Sequence, residues 1–325
     1  MNLLSYTCPC VSWIAKFGFA IAALTPTWNA WAQGVEVPTR VFLNGAPAPV
    51  YFNDGDTFRV LAGRFAGMRA RLAGFNTLES YGSVHQWGSW TLKEMYHLAK
   101  LGTHNARRGV WKCRSKDFEK DGYGRVLWWC KDLAVDQVRR GLAHAMTVTL
   151  APADPDLLAA QADAIRARRG MWAHGVPEYV LTSLHSTAEG GSGPTYNRLV
   201  STRNGHSAKW VHRDAYPVCK KVCRPERMVD ESAVDRALED LRADPTLAEI
   251  VHTVPSSELR SAIADFARLG FVSGLAGPGL PKLIHRLEGF EDNGAFGRPR
   301  QKEGSCGIYV PFEKRYNEGR APCLD

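Results

Sequence analysis

Past residue 35 the chain has no run of 18 or more apolar residues, which excludes a bilayer-spanning helix in that part. It has no Gly-X-Y period, sustained heptad pattern or low-complexity tail, so collagen, coiled coil and disordered tail are excluded as well. No internal repeat is found. Before Glu36 there is a single charged side chain, Lys16. What remains is ordinary globular material: 325 residues, 45% hydrophobic and 23% charged, enough for about two domains.

The charge-poor start reads as an export signal. Phe17 to Leu24 form a short apolar core, Pro26 breaks it, and Ala30-Trp31-Ala32 is an A-x-A cleavage pattern before Gln33. Residues 1–32 are therefore expected to be a signal peptide removed near Ala32, giving an exported mature chain, periplasmic or extracellular, with no transmembrane segment. Cys8 and Cys10 leave with it, and Cys113, Cys130, Cys219, Cys223, Cys306 and Cys323 remain. An even number of cysteines in an exported chain points to disulfides.

Residues 33–180 mix strand and helix signals. Val50 to Leu61 and Met68 to Leu72 are expected as strands, with Asn53-Asp54-Gly55-Asp56 and Ala62-Gly63-Arg64 as turns. Met68, Ala70 and Leu72 share one face of the second strand, and Arg69 and Arg71 point from the other. Thr91-x-x-Glu94 resembles a capping box ahead of a helix through Met95, Leu98, Ala99, Gly102 and Ala106. Helices are also expected from about Val135 to Gly141 and from Leu157 to Arg169. Val110 to Cys113 and Val126 to Cys130 read as a hairpin, with Cys113 and Cys130 placed for a cross-strand disulfide.

Beyond this segment, residues 181–230 read as a linker, clearest at residues 189–194, followed by a Cys- and His-bearing stretch. Residues 231–325 read as a smaller, mostly helical region broken at Pro245, Pro255 and Gly277 to Pro281. Cys219 and Cys223 are expected to pair with Cys306 and Cys323. A zinc site with His206 and His212 is the alternative, although its spacing matches no standard finger.

The net charge is +8, and residues 33–180 hold 20 Lys and Arg against 14 Asp and Glu, so most of the excess sits there. Such an excess suits a polyanion but is also common on solvated helix faces. The acidic residues are more informative. Asp54 and Asp56 share a tight glycine turn, and Glu79 follows Arg71 along the chain. Carboxylates gathered beside Arg71 and Arg125 could bind a hard divalent cation while the guanidinium forks grip phosphate oxygens.

Four ordered blocks sharpen this: Asn53-Asp54-Gly55-Asp56-Thr57-Phe58, Arg71-Leu72-Ala73-Gly74-Phe75-Asn76-Thr77-Leu78-Glu79, Asp121-Gly122-Tyr123-Gly124-Arg125 and Val138-Arg139-Arg140-Gly141-Leu142-Ala143. Together they resemble the thermonuclease (staphylococcal nuclease) family over about residues 35–175. The resemblance implies an α+β fold, a five-stranded oligonucleotide/oligosaccharide-binding (OB) barrel with packing helices. It also implies calcium-dependent hydrolysis of DNA or RNA phosphodiester bonds with little sequence specificity. By position, Arg71, Glu79 and Arg125 match the family's catalytic groups, and Tyr123 matches a tyrosine near the bound nucleotide. Asp56 and the Thr77 carbonyl match metal ligands, with Asn76 where the family has a second ligating aspartate. Leu78 stands in place of the family's proline, and Thr147 in place of its nucleotide-stacking tyrosine. A second reading keeps the barrel as a catalytically weak or inactive module that binds nucleic acid or protein.

Overall fold

The computed structural model describes residues 39–325 apart from 83, 150, 191, 192, 298, 299, 317 and 325. The expected signal segment, its cleavage point near Ala32, and Cys8 and Cys10 lie outside the described residues.

Alternating burial builds the first sheet. Strands β1 (Thr39–Leu43), β2 (Ala46–Asp54), β3 (Thr57–Val60) and β4 (Arg69–Leu72) form an antiparallel run. Ala48, Val50, Phe52, Phe58, Val60, Ala70 and Leu72 point inward from them, the period of two that one buried face demands. Next come β5 (Phe75–Thr77), β6 (Val84–Gln86) and helix α1 (Leu92–Arg108). The capping box at the start of α1 is present: Thr91 Oγ1 accepts from the Glu94 backbone N–H at 3.3 Å, and Glu94 accepts from the Thr91 N–H at 2.9 Å. Then follow β7 (Trp111–Cys113), β8 (Val126–Trp128), α2 (Lys131–Arg139), β9 (Ala143–Ala145) and α3 (Pro155–Arg166).

The expected hairpin of β7 and β8 is replaced by something else. β7 pairs parallel with β1 and β8 parallel with β4, giving the order β7-β1-β2-β3-β4-β8. The sheet curls into a half-barrel until its two edges touch at one antiparallel bridge, where Arg114 and Trp129 exchange backbone hydrogen bonds of 2.9 and 2.8 Å. The disulfide Cys113–Cys130 crosses the same seam, so that pairing is as expected while the ladder between the strands is not. Helix α2 also starts ahead of Val135, because its N-cap, Cys130, offers no side-chain signal to read.

The remaining chain is more mixed than mostly helical. Strands β10 (Tyr179–Ser183), β11 (Tyr196–Ser201) and β12 (Ser207–Val211) form a second antiparallel sheet. A boundary near residue 180 therefore falls inside β10, and the described part of residues 189–194 lies in the connection between two paired strands. After β13 (Lys221–Cys223) and β14 (Glu226–Met228) come helices α4 (Glu231–Ala243), α5 (Ala248–Val251), α6 (Ser256–Leu269) and α7 (Leu280–Asp292). Their breaks fall at the expected prolines and glycines, and Leu241, Val251, Leu259, Ile263, Leu283 and Leu287 form their core. β15 (Arg300–Lys302) pairs with β14, and β16 (Cys306–Ile308) lies between β13 and β6.

Disulfides Cys219–Cys323 and Cys223–Cys306 tie this end down, which resolves the expected set. The zinc alternative fails: both cysteines are oxidised, and His206 Nδ1 is bonded to the Thr149 carbonyl at 2.8 Å. The described residues fall in one compact unit, Pro38–Asp325, and none of their helices is long and apolar enough to cross a membrane.

Candidate active site

The site grows from the turn between β2 and β3. Asp54 Oδ1 accepts the Asp56 backbone N–H at 3.1 Å, an Asx turn that aims Asp56 inward. Gly55 permits the next layer to close: a Cβ there would lie 2.5 Å from Thr77 Cγ2, so only glycine lets β5 cross the turn. Asp56 is 2% exposed and fully engaged. Its Oδ2 accepts the Thr77 backbone N–H at 2.7 Å and the Thr77 hydroxyl at 3.2 Å, and its Oδ1 accepts the Thr57 hydroxyl at 3.1 Å.

Arg71 completes a ring. It sits opposite Thr57 in the β3–β4 register, forms an ion pair with Asp56, and donates its other terminal nitrogen to Asn76 Oδ1. The Asn76 amide in turn donates to the Thr77 carbonyl at 2.8 Å. Asp56, Arg71, Asn76 and Thr77, drawn from a turn and two strands, therefore form one hydrogen-bonded circuit. The charges of Asp56, Asp54, Glu79 and Asp121 outweigh burial and hold the Arg71 guanidinium above its usual pKa.

Glu79 follows β5 and is half-buried. Its backbone N–H donates to His85 Nε2 at 3.2 Å, which pins the loop. Burial, then the Asp56 charge, pushes its carboxyl upward, while Arg315, Arg71 and Arg125 pull it back. Asp54 is pushed well up by burial, Asp56 and Glu79. These couplings place Asp54, Asp56, Glu79, Arg71 and Arg125 within one electrostatic neighbourhood. Arg125 is half-turned elsewhere: its direct partner is Asp121, at 2.7 Å from Nε and 2.6 Å from Nη2. Burial alone would raise Asp121, but the Arg125 hydrogen bonds hold it below its usual value. Tyr123, 66% exposed, lies under the Arg125 guanidinium at 5.3 Å.

The expected metal ligands are all oxygen donors, the chemistry a hard cation takes. Crowded carboxylates that raise one another's pKa also favour added positive charge. In this arrangement, however, the Asp56 and Asn76 oxygens face Arg71, and the Thr77 carbonyl faces Asn76. The donor types fit calcium, provided that Arg71 exchanges its partners. Among the described residues the one grouping of three or more His, Cys, Asp or Glu side chains with donor atoms within 4.8 Å of one another is Cys223, Glu303 and Cys306, and its two cysteines are joined as a disulfide.

No family model matches this chain, and no curated protein matches it.

Several groups at the site carry no local signal in the sequence. Arg315 and Tyr316 come from beyond β16, and His85 and His144 stand behind β5, where Asn76 and His144 face each other across β5 and β9. Burial and the neighbouring His144 push His85 down to about 4, and burial pushes His144 down to about 4 as well. A histidine whose folded pKa lies below its unfolded value of about 6.5 takes up its proton more readily when unfolded. Its stabilising share is therefore complete above pH 6.5 and lost as pH falls toward 4, by about 3 kcal/mol for each ring. Urea unfolding at pH 7 and pH 4.5 should show His144→Gln losing clearly less stability than wild type over that interval. Equal losses would remove His144 from the acid response.

Proposed function

We propose that the chain is an exported, calcium-dependent nuclease that hydrolyses phosphodiester bonds of DNA and/or RNA with little sequence specificity. In this reading the curled sheet and its helices are an OB barrel of the thermonuclease type. The observation that carries it is the Asp56–Arg71–Asn76–Thr77 circuit with Glu79 and Arg125 in its field: residues far apart in sequence share one hydrogen-bonded and electrostatic neighbourhood. Three disulfides support export.

Phosphodiester hydrolysis needs positive charge around a phosphate whose negative charge grows in the transition state, and a base for water. Arg71, once it has given up Asp56 and Asn76 to the cation, and Arg125, held by Asp121, supply planar forks suited to phosphate oxygens. Glu79 has a carboxyl moved above its usual range, closer to neutral pH, where a general base works best. Asp56, Asn76 and the Thr77 carbonyl would hold the calcium, which when bound adds Lewis-acid charge at the phosphate. Digestion of DNA and RNA in calcium, lost in chelator, is the expected result for the wild type.

The second reading, a binding module without turnover, draws on Asn76. A site with one fewer carboxylate binds calcium less tightly. Asn76→Asp would add that charge and remove the amide that now occupies the Thr77 carbonyl. Calcium affinity, measured by calorimetry, should tighten on the order of tenfold. Equal, negligible digestion with and without calcium, in wild type and Asn76→Asp alike, would favour the binding module.

A further inference from the structure

We propose that Arg315, Tyr316, Tyr81 and Lys100 form a subsite for an unpaired nucleotide beside the cleavage pocket, Arg315 receiving its phosphate and Tyr316 its base. This rests on the nuclease reading and deepens it by naming single-stranded polynucleotide as the substrate class.

The C-terminal segment is fixed against the site by covalent and backbone bonds. β16 pairs with β6, Gly307 opposite His85, while Cys223–Cys306 and Cys219–Cys323 anchor the stretch on both sides. Between those anchors Arg315 donates from Nε to the Val310 carbonyl at 3.3 Å. Its guanidinium reaches the catalytic loop at Gly82. A Cβ on Gly82 would sit 3.5 Å from Arg315 Cζ and 3.6 Å from Glu79 Oε2, so both groups border the same point. Among the described residues the two terminal nitrogens of Arg315 make no hydrogen bond or ion pair. Of the cations that counter the burial of Glu79, Arg315 acts most strongly, ahead of Arg71 and Arg125. A fork beside Glu79, with its terminal donors unspent, is placed to take an anion.

The next residue supplies a ring. Tyr316 stacks on Tyr81 with centroids 5.3 Å apart and planes 28° apart, and the Lys100 ammonium lies 3.9 Å from the Tyr81 centroid. Phe312 meets Tyr316 edge-on at 5.9 Å. Tyr316 is 43% exposed and Phe312 65% exposed. Burial raises the Tyr316 hydroxyl, the Arg315 charge lowers it, and the charges of Asp54 and Glu79 raise it, so this ring lies within the field of the same carboxylates. Flat rings alternating with cations suit a polyanion that carries flat bases, because every base offers a π-face and every linkage a charge. A duplex keeps those faces stacked inside, so an unpaired strand is the fitting occupant. Thr147, where the resemblance places a stacking tyrosine, offers no ring, and its backbone is taken up by Gly205 and Ser207 at 2.7 and 3.0 Å.

The test is fluorescence anisotropy of a short labelled oligothymidylate and of a duplex of equal length, in chelator, with the full oxidised chain. Tyr316→Ala and Arg315→Gln should each weaken single-strand binding about tenfold and leave duplex binding within about twofold. Arg315→Gln should also flatten the plot of log affinity against log salt by about 0.7, the share of one phosphate contact on a single strand. Tyr316→Phe keeps the ring and should bind like wild type, which separates stacking from a folding defect. Unchanged single-strand affinity in both variants, or equal losses on single strand and duplex, would overturn the subsite. A wild type that neither binds nor cuts any nucleic acid would overturn the nuclease reading first, and the subsite with it.

Discussion

Glu79→Gln should lower kcat on DNA in saturating calcium by about 10²–10⁴-fold, the usual worth of a positioned general base. The amide matches the carboxylate in size, and the Glu79 backbone N–H still donates to His85, so the loop keeps its anchor. What disappears is the negative charge and the ability to accept a proton. The pH profile gives the sign. A base must be deprotonated, so the wild-type rate should fall as pH drops through the Glu79 pKa, which burial and Asp56 hold above the ordinary carboxylate value. That acid limb should be absent in Glu79→Gln. Stability should move the other way, because the variant removes a charge that burial and Asp56 both oppose. Single-turnover kinetics and thermal unfolding on one preparation measure both. A Glu79→Gln protein with wild-type kcat would dismiss Glu79 as the base.

Replacing Cys219 and Cys323 together by serine should cost roughly 3 kcal/mol of unfolding free energy, because Cys223–Cys306 stays closed inside that span and leaves only the flanks 219–223 and 306–323 to be released, a loop of about 20 residues. Cys113–Cys130 closes a similar loop, with a separation of 17, and its removal should also cost roughly 3 kcal/mol. The near-equality is the sharper statement, because both variants share one reference. Urea unfolding of the two double-serine proteins and wild type compares them. The Asp56–Arg71–Asn76–Thr77 circuit uses no part of either bridge, so calcium-dependent cleavage should survive the loss of Cys219–Cys323 at temperatures where the chain stays folded. A penalty for Cys219–Cys323 far above that for Cys113–Cys130 would mean that the nested bridge does not shorten the loop it closes.

The parts of the molecule legible in the sequence were those whose signals are local. The capping box at Thr91 and Glu94, the alternation of Ala70 and Leu72 against Arg69 and Arg71 along β4 and the proline breaks between α4 and α7 each sit within a few residues, and each appears as read. The pairing of Cys113 with Cys130 was also legible, though the reason differed. Nearness along the chain suggested a hairpin, whereas sheet closure brings the two cysteines together after their strands have joined β1 and β4. Three-residue strands such as β13 and β16 carry too few positions for alternation to register, so β13 was passed over in a stretch read as linker and Cys/His-bearing, and β16 in one read as mostly helical. Asp56, Arg71, Asn76, Thr77 and Glu79 were grouped on sequence because their blocks are close and ordered. Arg315 and Tyr316 were not, because only the β16–β6 pairing carries them to Glu79, and no local pattern encodes a pairing over that separation.

That pairing also sets an order of events. During synthesis β6 emerges more than 200 residues ahead of its neighbour β16. Until then the amides and carbonyls of Val84–Gln86 face outward as an open ribbon margin, available to any passing extended peptide. A chain cut short after residue 300 would keep that margin bare for good. Such truncated forms should clump where the whole chain stays dispersed.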